Sequence, residues 1–130
     1  MKKTISLIII TAIALVITVL CVTITKPNTI VSDGSFNLAE HTLYKEKLPE
    51  NCNLGIVPDQ QTAALEANKL WREAFGREFR GKISVKYDSE NDCWLVSGQL
   101  SLASIFDFPY FPNAIIKTDG TVLSIWLDQF

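Results

Sequence analysis

The feature that most constrains this chain is a run of 22 uncharged residues at its N-terminus. No charged side chain lies between Lys3 and Lys26, and most residues in the run are Ile, Leu, Val, Ala or Thr. As a helix with a rise of about 1.5 Å per residue, the stretch 5–25 spans roughly 31 Å, which matches the hydrocarbon core of a bilayer. The sequence therefore predicts a transmembrane anchor in residues 1–25.

An uncleaved anchor is favoured over a cleavable signal peptide. The apolar region of a signal peptide usually has about 7–15 residues and ends in a site formed by small residues. Here Leu20 and Val22 occupy the positions where small residues are needed. Cys21 raises the alternative of a lipidated N-terminus, but Leu20 is larger than the residue that normally precedes a lipidated cysteine.

The flanks of the apolar run indicate the orientation of the chain. Lys2 and Lys3 precede the run, and Lys26 alone follows it closely. Because cationic residues favour the cytoplasmic side, the N-terminus is expected in the cytoplasm. We therefore predict a single-pass protein of the inner or plasma membrane whose C-terminal domain is periplasmic or extracellular.

The remaining 105 residues have the composition of one small soluble domain with a tether. They contain 10 Lys or Arg and 14 Asp or Glu, a balance of −4. This balance argues against a nucleic-acid binder that works through phosphate contacts, and the length excludes a large enzyme or a multi-span transporter. Residues 26–57 are predicted to be a tether, because turn-forming residues occur there without lasting hydrophobic periodicity. Residues 58–130 are predicted to fold.

A single helix is predicted at the start of the folded domain. Asp59 is a suitable N-cap, Gln60–Phe75 contains helix-forming residues, and Gly76 is a C-terminal stop. Apolar residues recur every three or four positions and form a stripe that is expected to pack on a sheet. The residues of this stripe are Ala64, Ala67, Trp71, Ala74 and Phe75.

Four antiparallel strands are predicted after the helix, because the hydrophobic period falls to two. Their expected ranges are Lys82–Tyr87, Cys93–Leu100, Ala114–Thr118 and Thr121–Leu127. The pair Asp119-Gly120 predicts a two-residue hairpin turn with positive φ at both positions. The predicted fold class is thus α+β, with one helix packed on a four-stranded antiparallel sheet whose opposite face is partly free.

Two cysteines lie beyond the apolar run, and they allow two interpretations. Cys52 and Cys93 belong to the part of the chain that is expected outside the cytoplasm, where disulfides persist. A disulfide between them would stabilise a small domain, whereas two free thiols are the alternative. The sequence does not show whether their Cα atoms come within bonding reach.

No catalytic, metal or cofactor site is predicted. His41 is the only histidine and has no partner at a ligand spacing, and no nucleophile with a base is credible. The acidic run Asp88, Glu90 and Asp92 resembles half of a calcium loop. It lacks the glycine and the distal glutamate of such a loop, so a solvated turn is favoured.

An aromatic segment between the second and third strands is the candidate partner surface. Pro109 and Pro112 in this segment favour an irregular loop over a central strand. Exposed aromatic residues are typical of interface hot spots, although rings that cover the open end of a small core are the alternative. The candidate partner-binding residues are Phe106, Asp107, Phe108, Tyr110 and Phe111.

Three stretches carry a resemblance to a known family: Val57-Pro58-Asp59 before an Ala-rich helix that closes at Phe75-Gly76, the strand Cys93–Leu100, and Ile116–Leu123. On the basis of these stretches, the chain from Val57 onward, about 73 of the 130 residues, resembles the bacterial immunity proteins. The resemblance implies a nuclear-transport-factor-2-like or cystatin-like fold. The sequence departs from the family where glycines commonly follow the tryptophan strand, because Phe106–Pro112 stands there instead.

The resemblance implies a membrane-anchored immunity protein of a toxin–antitoxin or polymorphic toxin system, which binds and masks a cognate toxin without catalysis. The net acidic charge would help to attract a basic toxin. The alternative is a PepSY-like envelope module that regulates or inhibits a peptidase or a membrane partner, since such modules end similarly to Asp119–Leu123. A small-ligand enzyme is disfavoured, because the domain is short and lacks a poised acid–base pair. Asp107 and Asp128 could face a common cavity, but nothing in the sequence argues that they do.

Overall fold

The computed structural model describes residues 28–50, 52–99 and 110–129. The predicted anchor in residues 1–25 lies outside these ranges, as do Phe106, Asp107 and Phe108 of the predicted partner surface. In the part of the chain that is described, no helix is both long enough and apolar enough to cross a membrane.

The described chain forms one α-helix and a five-stranded mixed sheet. The strands lie side by side in chain order as β1 (Thr29–Ser35), β2 (Lys82–Asp88), β3 (Cys93–Gly98), β4 (Tyr110–Lys117) and β5 (Val122–Gln129). β1 is parallel to β2, and the other neighbours are antiparallel. The helix α1 (Gln60–Phe75) covers one face of the sheet. The predicted α+β class is confirmed. The prediction of a four-stranded antiparallel sheet is wrong, because a fifth strand, β1, pairs in parallel with β2.

The additional strand comes from the range 26–57 that was predicted to be a tether. Thr29–Ser32 pair in parallel register with Lys82–Val85, and the register shifts before Ser35. Only Ile30 and Val31 of this strand are even half-buried, so its hydrophobic alternation is weak. The tether prediction is therefore wrong for the residues of β1.

The helix α1 begins and ends where the sequence predicts. Asp59 Oδ1 accepts a hydrogen bond from the Thr62 amide at 2.7 Å. Gly76 takes a left-handed conformation with φ 81° and donates its amide to the Arg72 carbonyl. In the predicted apolar stripe, Ala64, Ala67 and Trp71 are buried, and Ala74 and Phe75 are half-buried.

Two tryptophan indoles join separate parts of the chain to the sheet. Trp71 of α1 is fully buried, and its Nε1 donates to the Asn113 carbonyl on β4 at 3.2 Å. Trp94 Nε1 on β3 donates to the Val57 carbonyl at 3.0 Å. Because each indole N–H has an acceptor, both rings bury apolar area without the cost of an unpaired donor.

The connection from β1 to α1 crosses the sheet face opposite the helix and then passes the β5 edge. We call residues 36–50 of this connection the strap. Phe36 and Leu38 of the strap pack on a cluster formed by Cys93, Leu95 and Ile115. Tyr44 then bonds to β5, since its amide donates to Ser124 Oγ and its carbonyl accepts from the Ile125 amide. The face that was predicted to be partly free is thus covered in part by the strap.

Asp88, at the end of β2, holds the start of the strap. Its carboxylate accepts four hydrogen bonds of 2.8 to 3.1 Å, from the Leu38, Glu90 and Asn91 amides and from Asn91 Nδ2. The hydrogen bonds from the Asn91 side chain and the Leu38 amide keep the pKa of Asp88 below its usual value. The prediction of a solvated turn is therefore wrong for Asp88, which is a buried acceptor.

The turn between β4 and β5 differs from the predicted two-residue hairpin. The Gly120 amide donates to the Lys117 carbonyl, and the Lys117 amide donates to the Thr121 carbonyl, which leaves a three-residue loop. Gly120 has φ 93°, while Asp119 does not have a positive φ. This is a turn followed by a left-handed glycine. The register also shifts between Ile115 and Ile116, because Leu123 of β5 is an extra residue without a partner in the ladder.

Pro112 lies inside β4, so the irregular loop that Pro109 and Pro112 favour in the sequence is wrong for residues 110–112. The last pair between β3 and β4 joins Ser97 to Asn113, whereas Pro112 pairs with Leu127 of β5. Pro112 is thus one residue beyond the β3–β4 ladder, where its missing amide removes no hydrogen bond to β3.

The two described cysteines are free thiols on opposite faces of the sheet. Cys52 packs against the cluster under α1, and Cys93 is buried in the cluster under the strap. Because the sheet lies between them, the disulfide considered from the sequence is not formed. Burial raises the pKa of Cys93 to about 11, which keeps this thiol protonated and unreactive near neutral pH.

Gly120→Ala is expected to lower the free energy of unfolding by about 3 kcal/mol, because it combines strain at positive φ with overpacking. A Cβ at Gly120 would lie 2.7 Å from the Gly55 amide nitrogen and 2.8 Å from Asn53 Oδ1. Gly34→Ala is the matched control, since Gly34 has φ 89° but no atom within 4 Å of the new Cβ.

The control should lose only about 1 kcal/mol, the contribution of backbone strain. Urea unfolding of the full chain in non-ionic detergent measures both values. Equal losses in the two variants would contradict the overpacking expected at Gly120.

Candidate partner-binding surface

The two ends of the sheet differ in which parts of the chain they contain. Asn28 lies at one end, because its side chain accepts from the Gly81 amide and Thr29 pairs with Lys82. We call this the proximal end. The opposite, distal end contains the loops 52–59, 88–92 and 118–120.

The three distal loops are joined by backbone hydrogen bonds. The Thr118 amide donates to the Asp92 carbonyl at 2.9 Å. The Val57 amide donates to the Thr118 carbonyl at 2.9 Å, and the Leu54 amide donates to the Gly120 carbonyl at 3.0 Å. Because these bonds connect different loops, they fix the relative positions of the side chains on them.

The distal loops carry a concentrated negative charge. They contain five carboxylates and no Lys or Arg, while the whole chain has a formal charge of only −2. Asp88 is buried, whereas the other four side chains are exposed to solvent. These four exposed residues are Asp59, Glu90, Asp92 and Asp119.

Hydrogen bonds within the turns hold most of these carboxylates in place. Asp119 Oδ1 accepts from the Thr121 amide at 2.9 Å, and Asp92 Oδ1 accepts from Tyr87 Oη at 2.8 Å. Backbone amides lower the pKa of Asp59, mainly through Thr62, and the pKa of Asp119, mainly through Thr121. Both carboxylates are therefore ionised at neutral pH, and the distal end is negative.

Ile56 lies among these carboxylates and is 79% exposed, the largest value for a large hydrophobic side chain among the described residues. The chain is held on both sides of it, because the Leu54 amide bonds to the Gly120 carbonyl and the Val57 amide bonds to the Thr118 carbonyl. An apolar side chain with a charged rim on a rigid base is typical of a protein interface. We call Ile56 and the four exposed carboxylates the distal surface.

A second polar cluster lies on the strap face near the proximal end. Asn113 links it, since its Oδ1 accepts from Ser97 Oγ at 2.7 Å and its Nδ2 donates to Asp128 Oδ2 at 2.9 Å. Trp126 Nε1 donates to the other oxygen of Asp128 at 3.1 Å. Asp128, one of the two carboxylates of the disfavoured enzyme hypothesis, thus orients neighbouring side chains. The other, Asp107, lies outside the described residues.

Two of the predicted partner-binding residues, Tyr110 and Phe111, begin β4. Tyr110 pairs with Gln129 and is 40% exposed, whereas Phe111 pairs with Asp128 and is half-buried. Adjacent residues of a strand point to opposite faces, so the two rings do not share one surface. Both residues also lie at the proximal end, away from the distal surface.

His41 packs among aromatic rings of the strap face. Its ring is edge-on to Phe36 at 5.6 Å and lies 6.4 Å from Trp126, measured between centroids. Within residues 28–50, 52–99 and 110–129, no group of three or more His, Cys, Asp or Glu side chains is arranged to hold a metal ion.

Comparisons of the chain with protein-family models, curated proteins and solved structures found no match. The role of the distal surface must therefore follow from its own chemistry. Its acidic turns are visible in the sequence, since Asp88–Asp92 and Asp119-Gly120 are turn signals. The contact of Thr118 with Asp92 and Val57, which assembles the surface, has no local signal.

Acidification is expected to destabilise the fold. The pKa values of Asp59, Asp88 and Asp119 are lowered, so their stabilising contribution is complete above the ordinary carboxyl pKa of about 4 and is lost as pH falls through the folded-state values. The Tm of the full chain should decline between about pH 5 and pH 2. Asp88→Asn, which cannot take up a proton, should decline less steeply, and an unchanged slope would contradict this role.

Proposed function

We propose that this protein is a membrane-anchored immunity protein that binds a cognate bacterial toxin at the distal surface and masks it without catalysis. Residues 5–25 anchor it in the inner or plasma membrane, and the domain lies in the periplasm or outside the cell. The predicted membrane segment, the resemblance in the region 57–123 and the chemistry of the distal surface support the proposal.

The observation that carries the proposal is the position of the distal surface relative to Asn28. Asn28 is the described residue nearest to the predicted anchor, and it lies at the opposite end of β1 from the distal loops. β1 has seven residues, so at about 3.3 Å per residue the two ends are roughly 20 Å apart. A domain tethered through Asn28 can therefore present the distal surface to a partner that approaches through solvent.

The charge of the distal surface suits a basic toxin. Four exposed carboxylates at one end of the sheet raise the association rate of a cationic partner and disfavour an anionic one. Ile56 supplies an exposed apolar side chain at the same end of the sheet. Because the three loops are already bonded to one another, binding does not have to pay the full cost of ordering them.

A growth assay tests the proposed function. The full chain is expressed together with each secreted protein that is encoded beside its gene, in a host that lacks both. We expect one of these proteins to arrest growth alone and to be neutralised when the full chain is present. If one of them arrests growth and the full chain gives no relief, the immunity role is wrong.

Ile56→Ser is expected to weaken toxin binding roughly 30-fold, the effect of losing a central hot-spot residue. Leu65→Ser is the matched control, since Leu65 is also an exposed hydrophobic residue but lies on α1 outside the distal surface. Both variants should retain the wild-type Tm, because both side chains are exposed. Titration of the purified toxin against each full-length variant measures the Kd, and equal affinities would place the toxin site elsewhere.

A further inference from the structure

The connection from α1 to β2 and the first residue of β2, together called the loop 76–82, carry a charge opposite to that of the distal surface. Arg77, Arg80 and Lys82 of this loop are exposed. Its single carboxylate, Glu78, is paired with Arg72 of α1 at 3.3 Å. Glu78 is thus engaged by Arg72, while the cationic side chains of Arg77, Arg80 and Lys82 are exposed to solvent.

The backbone of this loop is held firmly on the domain. The Asn68 side chain is buried, and its Nδ2 donates to the Phe79 carbonyl at 2.9 Å while its Oδ1 accepts from the Phe79 amide at 2.7 Å. The Phe79 ring is buried edge-on against Trp71. Arg77 and Arg80 thus extend from a fixed backbone on either side of Phe79.

The same loop lies next to the start of the described chain. The Gly81 amide donates to Asn28 Oδ1 at 2.8 Å. Only Lys26 and Pro27 separate Asn28 from the predicted membrane segment 5–25. Three steps of extended chain span at most about 11 Å, which is close to the Debye length of about 8–10 Å at physiological salt.

We propose that the loop 76–82 binds the anionic headgroups of the membrane in which residues 5–25 are anchored. Arginine guanidinium groups match phosphate geometry, and cationic residues next to a membrane segment are attracted to anionic lipids. The acidic distal loops are repelled by the same surface. Together these forces hold the domain upright, with the distal surface directed away from the bilayer.

This inference rests on the membrane anchoring that forms part of the proposed function, but it does not depend on the toxin. We assign a lipid surface as the partner because the cations lie at the proximal end. The short chain between Asn28 and the predicted membrane segment keeps this end close to the headgroups. In the sequence, Lys26 adds a further positive charge between the predicted membrane segment and Asn28.

Lysine acetylation of the reconstituted full chain tests the inference. The chain is placed in vesicles of phosphatidylcholine alone, or of phosphatidylcholine with about one third phosphatidylglycerol, and treated with N-hydroxysuccinimide acetate. We expect the anionic lipid to slow acetylation of Lys82 roughly fivefold relative to Lys47, an exposed residue of the strap. High salt should remove the difference by screening.

Charge variants assign the effect to the loop. In Arg77→Gln/Arg80→Gln the protection of Lys82 by anionic lipid should be lost, because the neighbouring cations no longer hold the loop at the headgroups. Lys45→Gln, which removes a cation from the strap, should retain the protection. The same ratio of Lys82 to Lys47 acetylation in both vesicle types would overturn the inference, as would full protection in the double variant.

Flotation of the vesicles separates this inference from the proposed function. If the full chain floats with both vesicle types and Lys82 is not protected, only the lipid contact is wrong. If the full chain does not float with either type, the proposed membrane anchoring is wrong, and the inferred lipid contact is then wrong as well. Neutralisation of the toxin is measured independently and is not affected by the first of these outcomes.

Discussion

The strap, which lies between β1 and α1, depends on one buried carboxylate. Asp88 accepts hydrogen bonds from the strap through the Leu38 amide and from its own turn through Glu90 and Asn91. Without this carboxylate, three backbone amides in a part-buried site would lose their acceptor. An unpaired buried donor lowers the free energy of unfolding. The strap starts here, and it must be held across the sheet before the chain can reach the β5 edge and begin α1 on the other face.

Local signals were enough to predict α1 and the antiparallel strands. Asp59 and Gly76 mark both ends of the helix, and the period-two pattern from Ile83 onward places the same side chains under α1 that the structure places there. β1 was missed because the strand with which it pairs is remote in sequence: Thr29 pairs with Lys82. A short parallel edge strand with two half-buried residues leaves almost no periodicity to detect.

The candidate site was less accessible to prediction than the fold. The aromatic residues that the sequence singled out divide between undescribed positions and the start of β4, where Tyr110 and Phe111 face apart. The distal surface is built instead from several turns. The acidic residues of each turn, considered alone, are ordinary for a turn. Only the backbone hydrogen bonds of Thr118 to two other loops reveal that the carboxylates share one end with Ile56.

The parallel pairing of β1 with β2 has a mechanical consequence. The chain enters the domain at Asn28, and both strands run from that end toward the distal loops. A pull on the distal end, opposed at Asn28, would slide β1 along β2 and load their ladder hydrogen bonds together rather than one after another. The weakly buried edge strand would then act as the force-bearing link of the molecule, because the direction of the load is along the strands.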